Sequence, residues 1–237
     1  MKTFIERYNN GEYREVWEEL FLLDDGVRDP SILPDALSVV NETMTRVQQN
    51  IVQIYNRLVE IGYEFEMMEG IDKPIIPPAP YIKEQIREIE SIVGIIPLSL
   101  KAWYEMVGTV SFLGRHPKWD TGIYYDPLFV SPIETALMEY DEWRILLEKY
   151  GEEKIGPYCI SIAPDYYHKA NISGGEPYKM AIPNAAIDAK LLNERHDTTF
   201  VEYLRICFTW GGFPGLENSS NNLPEVLDYL TKDLLPI

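Results

Sequence analysis

The chain has 237 residues, 46% of them apolar, and a formal net charge of −17 at pH 7. This length and apolar content allow one substantial hydrophobic core and argue against wholesale disorder. Such an acidic surface repels phosphate backbones, so the composition argues against nucleic-acid binding and favours a basic partner.

The N-terminal sequence and the cysteines indicate the compartment. No apolar run approaches the roughly 20 residues that a membrane helix needs. The opening "MKTFIERYNNGEYREVW" carries charges almost at once and lacks the long apolar region of a secretory signal. We therefore expect a cytoplasmic protein with no membrane segment. Cys159 and Cys207 lie in apolar runs and are predicted to be reduced core thiols rather than part of a disulfide framework.

The first third of the chain has helical periodicity. "GEYREVWEELFLL" (11–23) places its apolar residues at helical spacing, and "ETMTRVQQNIVQIYNRLVEIGYEF" (42–65) repeats them at steps of three and four. Asn41 and Thr43 are candidate caps for the start of the second helix, an earlier start near Asp35 is the alternative, and the helix is predicted to end at Gly62. Residues 1–71 are therefore expected to form a helical extension.

A proline-rich connector follows. "DKPIIPPAP" (72–80) has four prolines in nine positions, which is typical of a stiff, extended segment. This connector is the predicted boundary between the extension and a domain formed by residues 81–237.

The pattern changes after the connector. Two short amphipathic helices are predicted, "YIKEQIREIESIVG" and "IPLSLKAWYEMVG", the second opening at Pro97 and ending at Gly108. Strand-like runs follow in "VSFLG", "IYYDPLFVS", "YCISIAP" and "YKMAIP". Two further helices are predicted in "TTFVEYLRICFTWGG" and "LPEVLDYLTKDLL". We expect an α/β domain with a sheet of at least four strands.

One segment carries a resemblance to a known family. In "YIKEQIREIESIVGIIPLSLKAWYEMVGTVSFLG" (81–114), a short helix with Glu in its last turns is followed by Ile-Pro and by an aromatic-bearing helix that ends in Gly. This pattern resembles the opening of the SUKH superfamily, the fungal cell-wall-assembly regulators and bacterial toxin-immunity proteins, over about residues 80–237. The chain has Val107-Gly108-Thr109 where many members have a Gly pair, and the helices before residue 72 lie outside the common domain.

The resemblance implies both a fold and a function. The fold is α/β (α+β), with a mostly antiparallel sheet flanked by helices. The function is binding rather than catalysis, as in an immunity protein that neutralises a toxin, often a nuclease, by covering it. Two alternatives remain open: a regulatory or scaffold protein of the cell-wall-assembly type without a toxin target, and a hydrolase with unrecognised carboxylates. A toxin gene directly upstream would favour immunity.

One polar stretch of the chain, "APDYYHKANISGGEPYKM" (163–180), invites a catalytic interpretation. A phosphate loop would need a lysine and a hydroxyl where Glu176-Pro177 stands, and Ser173 lacks the glycine pair of a nucleophile elbow. The flanking runs alternate like strands, and Gly174-Gly175 supplies the positive φ that a turn requires. We predict a strand-to-strand loop and no catalytic residue.

The histidines do not have the spacing of a metal site. Along the sequence, none of His116, His168 and His196 lies three to five residues from another His or Cys, which is the usual spacing of metal ligands. Neither a metal nor a cofactor is therefore predicted. Asp126 and Asp165 flank strand runs, where carboxylates often cap turns. "WGGFPGLE" has the composition of a sugar-stacking platform, but a helix end followed by a packed turn is favoured.

Two loops are predicted to bind the partner. "HPKWDTGIYYD" (116–126) and "DYYHKANISGGE" (165–176) combine acids with aromatics, and aromatic anchors ringed by polar groups typify protein hot spots. The candidate partner-binding residues are Asp120, Tyr124, Asp126, Asp165, Tyr167, His168, Asn171 and Glu176. The predicted partner is a basic protein, for example a nuclease-type toxin, whose affinity falls as salt rises.

Overall fold

The computed structural model describes residues 2–119, 124–218 and 224–237. These ranges have a mixed α+β architecture with short antiparallel sheets, as the sequence predicts. The helices are α1 Phe4–Asn9, α2 Tyr13–Leu22, α3 Leu33–Glu60, α4 Ile82–Val93, α5 Leu98–Met106, α6 Tyr140–Tyr150, α7 Glu152–Ile155, α8 Phe200–Thr209 and α9 Pro224–Thr231. The strands are β1 Glu64–Phe65, β2 Ile75–Ile76, β3 Thr109–Ser111, β4 Gly114–Arg115, β5 Phe129–Val130, β6 Tyr158–Ala163 and β7 Tyr178–Ile182.

The long helix α3 connects the N-terminal region to the rest of the chain. Its apolar stripe packs against α1 on one side and α5 and α9 on the other. Buried Asn50 adds a specific contact, because its amide donates to the Leu235 carbonyl at 2.9 Å and accepts from the Leu235 amide at 2.7 Å. Gly62 follows the helix end with a positive φ, as predicted. Within residues 2–71 the helices α1, α2 and α3 end at Glu60, and beyond them β1 pairs with β4.

The proline connector is part of the sheet. Its β2 pairs antiparallel with β3, and the flanking prolines suit an edge position because they cannot donate to a ladder. The chain turns into β3 at Gly108, where φ is +89° and a Cβ would lie 2.3 Å from the Ile76 carbonyl oxygen. Only glycine fits this approach. Buried residues before and after the connector belong to one hydrophobic core. A domain boundary at residues 72–80 stays a prediction.

The expectation of one sheet with at least four strands is wrong. Within the described ranges the largest sheet has three strands, in the order β2-β3-β5, and β6 and β7 form a separate antiparallel pair. A single backbone hydrogen bond joins the two sheets, from the Ser131 amide to the Ile162 carbonyl at 2.8 Å. The next residue is Pro132, which has no N–H to extend the ladder.

Helices α1, α6 and α7 are additional to the predicted elements. Every residue of α6 retains some exposure, and the helix is attached through the stacked rings of Tyr140 and Trp143 above Tyr158. The two cysteines are free, as expected, with Cys207 buried and Cys159 half-buried. Across the described ranges, no helix is both long and apolar enough to span a membrane.

Candidate functional site

The polar stretch forms the connection between β6 and β7, as the sequence predicts. A short 3₁₀ turn, His168–Ala170, lies inside it. The carboxylate of Asp165 caps this turn: it accepts from the Tyr167 amide at 2.8 Å and is also hydrogen-bonded to the His168 ring Nδ1. Burial opposes ionisation of Asp165, but the hydrogen bonds from His168 and Tyr167 outweigh it and lower the pKa of this carboxyl.

Gly175 closes the connection over the same carboxylate. Its φ is +81°, and a Cβ there would lie 2.4 Å from Asp165 Oδ1. Gly175 is therefore required by its close approach to a capped turn rather than by a phosphate group, whereas a Cβ at Gly174 would meet nothing within 4 Å.

A fully buried ion pair lies beneath the turn. Lys169 Nζ is 2.7 Å from Asp126 Oδ1, and the two side chains are 0% and 1% exposed. The Tyr178 hydroxyl donates to the other carboxylate oxygen at 3.0 Å, and Lys169 lies 4.7 Å from the centre of the Tyr178 ring. Arg195 approaches the same carboxylate at 3.8 Å. Charges buried this deeply are tolerated only when they are paired, so this cluster anchors the turn to β7 and to the Asp126 loop.

Three tyrosines pack together above this cluster. Tyr124 is 43% exposed and meets the half-buried rings of Tyr166 and Tyr167 edge to face, with centroids 6.1 and 5.7 Å away. The Tyr166 and Tyr167 rings are 4.1 Å apart. We call Tyr124, Tyr166 and Tyr167 with the neighbouring exposed residues His168, Asn171 and Glu176 the tyrosine surface.

A small cleft of about 240 Å³ opens beside the turn. Its lining includes Asn171 together with Trp119 and Tyr125, whose rings are 5.0 Å apart. His116 lies beside Trp119, as expected, at 5.4 Å between ring centroids. The two predicted loops therefore meet in space.

The predicted partner-binding residues fall into three groups. Tyr124, Tyr167, His168, Asn171 and Glu176 are accessible on the tyrosine surface. Asp126 and Asp165 are 2% and 3% exposed, which corrects their placement on the exposed face. Asp165 caps a turn, as expected, whereas Asp126 holds Lys169 and Tyr178 instead. Asp120 lies outside the described residues.

A second charged cluster borders the Asp126 cluster and was missed by sequence reasoning. His196 contacts Glu194 through Nδ1 at 2.5 Å and Glu217 through Nε2 at 2.9 Å, while Arg195 pairs with Glu217 at 2.9 Å. Burial disfavours the imidazolium, but the hydrogen bonds to Glu217 and Glu194 outweigh it and raise the pKa of His196. Only the alternation of charges in "NERHD" could have signalled this cluster.

The side chains of the site can make polar and aromatic contacts. Ser173 is exposed, and the ring Nδ1 of His168 is engaged by Asp165. Among the residues that the structure describes, no group of three His, Cys, Asp or Glu side chains has the geometry of a metal site. The tyrosine surface offers ring faces, phenol hydroxyls, an imidazole and an amide, all suited to contact with another protein.

Comparisons with known proteins return no relatives: no family model matches the chain, and neither curated proteins nor solved structures give a significant match. The resemblance to the SUKH superfamily stays a prediction from residues 81–114.

Proposed function

We propose that this chain is a non-catalytic binding protein that recognises a basic protein partner through the tyrosine surface. The observation that carries the proposal is the packing of Tyr124 against Tyr166 and Tyr167. The two latter residues precede a turn that the buried Lys169–Asp126 ion pair holds in place.

The tyrosines are suited to this role because they expose large, rigid contact area. A tyrosine has few rotatable bonds, so ordering it on binding costs little entropy. The Asp165 cap and the Asp126–Lys169 pair hold the turn before a partner arrives, which reduces the ordering cost further.

Charge supports the choice of a basic partner. The net charge of −17 attracts positively charged proteins over distances beyond direct contact and accelerates their encounter. Glu176 is an exposed acid at the edge of the tyrosine surface. Such a rim charge acts mainly on the association rate and its salt dependence.

The finer assignment rests on the resemblance in residues 81–114. It makes the partner a toxin, of the nuclease type, and the protein its cytoplasmic immunity factor. A regulatory scaffold without a toxin target uses the same surface for a different partner, and a toxin gene beside this one distinguishes the two.

Site-specific photo-crosslinking tests the proposal. A photoreactive phenylalanine analogue replaces Tyr124 in one variant and Tyr150 in a control variant. These tyrosines are 43% and 45% exposed, so the control is matched in accessibility. We expect a basic polypeptide from the native host to crosslink at position 124 and not at position 150. Equal crosslinking at both positions, an acidic partner, or no partner would contradict the proposal.

A further inference from the structure

A cavity of about 230 Å³ lies beneath the proline connector. It is lined by Gly70 and the connector, the first turns of α4, the last turn of α5, and the segments 108–109 and 132–134. Its apolar walls come from Ile76, Pro77, Pro78, Ile82, Pro132 and Ile133. Its described lining residues are all different from those of the tyrosine surface.

Two buried polar atoms in this lining lack partners. Tyr104 is 2% exposed, and within the described part of the chain its hydroxyl has no hydrogen-bond partner. The side-chain carbonyl of Gln85 is likewise buried without one. Burying an unsatisfied polar group destabilises a fold, so water or a ligand in the cavity would stabilise these two atoms by hydrogen bonding to them.

A carboxylate lies beside the two unpartnered atoms of the cavity lining. Glu134 is exposed at the rim and accepts from the Gln85 amide nitrogen at 3.1 Å. This contact uses the donor end of the amide, so the unpartnered end of Gln85 can only accept. The described lining has this one carboxylate and no cationic side chain. Burial, and then the charge of Glu134, raise the pKa of Tyr104, so its hydroxyl stays protonated and neutral.

We propose that this cavity binds a guanidinium group, either of a free arginine-like molecule or of an arginine side chain. A guanidinium presents five donors and no acceptor, which matches the carbonyl of Gln85, the carboxylate of Glu134 and the hydroxyl oxygen of Tyr104. It is planar and weakly hydrated, so it tolerates apolar proline and isoleucine walls better than an ammonium does. This site goes beyond the proposed function and does not depend on the tyrosine surface.

The size of the cavity supports a side chain or a small molecule rather than a larger ligand. Pockets for drug-sized ligands usually measure about 300–1,000 Å³, and this one is smaller. Glu134 is the exposed carboxylate of the lining, so a cationic group in the cavity lies close to a negative charge that is also open to solvent.

Calorimetric titration of the full chain tests the proposal. The probes are L-arginine, the neutral isostere L-citrulline, and the peptide acetyl-Gly-Arg-Gly-amide. We expect at least one arginine probe to bind with a Kd of about 1 mM or tighter, and L-citrulline to bind about tenfold more weakly or not at all. A tighter peptide identifies the source as a protein side chain, and a tighter free amino acid identifies a small molecule.

Three variants locate the binding. Glu134→Gln should weaken arginine binding about tenfold, and Tyr104→Phe about fivefold. Glu88→Gln, which removes the charge of an exposed acid on the same helix as Gln85, should leave it unchanged. Glu134 is exposed at the rim, so Glu134→Gln should leave the fold intact. Its arginine affinity can therefore still be measured if Tyr104→Phe unfolds.

Three results would overturn the proposal. One is the lack of any isotherm with a Kd below about 10 mM for both arginine probes. Another is equal binding of L-citrulline and L-arginine. The third is equal loss of affinity in Glu134→Gln and Glu88→Gln.

Discussion

The cluster beneath the tyrosine surface and the cavity beneath the proline connector bury polar groups in opposite ways. In the cluster, Lys169, Asp126 and Tyr178 satisfy one another, although the buried Nε of neighbouring Arg195 has no hydrogen-bond partner among the described residues. In the cavity, Tyr104 and Gln85 each leave an atom without a partner within the same described ranges. In a low-dielectric interior a satisfied network is rigid, whereas an unsatisfied one is costly. The hydrogen bonds of the first region fix the turn that carries the tyrosine surface, whereas the second region has the free acceptors on which the proposed guanidinium site depends.

Of the variants considered, replacement of Lys169 should lower the free energy of unfolding most. Lys169→Met leaves the Asp126 carboxylate buried without its cation and should lower the free energy of unfolding by about 3–5 kcal/mol. Urea denaturation measures this change. The double variant with Asp126→Asn removes both charges and should recover at least half of the loss. A single variant within about 1 kcal/mol of the wild type would refute the structural role of the pair.

The glycine over Asp165 has the next largest effect. Gly175→Ala brings a methyl group against Asp165 Oδ1 and should cost about 1–3 kcal/mol. The matched control is Gly174→Ala, since Gly174 also has a positive φ, +128°, but a Cβ there meets nothing within 4 Å. Denaturation of both variants separates steric contact from backbone strain. Equal costs for the two would mean that the approach to Asp165 does not constrain the turn.

The His196 cluster predicts a pH dependence. Its folded-state pKa is raised above the ordinary 6.5, so the native state binds the proton more tightly than the unfolded state does. This stabilisation is present below the unfolded pKa and is lost as pH rises through the folded pKa. His196→Gln should cost about 1 kcal/mol at acidic pH and progressively less in alkaline solution. A difference in unfolding free energy that is constant between about pH 5.5 and 8.5 would contradict this.

The smallest change in unfolding free energy is expected at Tyr104, and it tests how the cavity differs from the Asp126 cluster. Tyr104→Phe removes a hydroxyl that has no partner within the described residues, so it should leave the free energy of unfolding within about 0.5 kcal/mol or raise it. Thermal unfolding without ligand measures this. A loss above about 1 kcal/mol would show that the hydroxyl is satisfied and that the two regions do not differ in the way described.

Helices were predictable from the sequence where one apolar stripe dominated. The stripes of α3 and α4 are local patterns, and the structure has them as predicted. Helix α6 was also within reach, because Tyr140, Trp143 and Leu147 have helical spacing. Strands such as β2 and β5 have only two residues, too few for an alternating pattern, and their pairing joins distant segments.

The two sites were predictable only in part, because local patterns show in the sequence and contacts between distant residues do not. The Asp165 turn and its glycines are local, so the loop and its aromatic residues could be predicted from the chain. Lys169 and Asp126 are 43 positions apart, and Tyr104 and Gln85 come from different helices. No pattern along the sequence brings such groups together, and a charged residue in a polar loop gives no sign that its side chain is buried.

Recognition through the tyrosine surface is tested by the affinity for the partner that crosslinks at position 124, measured for the wild type, Tyr167→Ala and Tyr150→Ala at low and high salt. We expect Tyr167→Ala to weaken binding by about 2 kcal/mol, Tyr150→Ala to have no effect, and wild-type affinity to fall as NaCl rises from about 50 to about 300 mM. Unfolding curves must show that Tyr167→Ala is folded. Affinity that is indifferent to Tyr167→Ala, or to salt, would contradict recognition of a basic partner by the tyrosine surface.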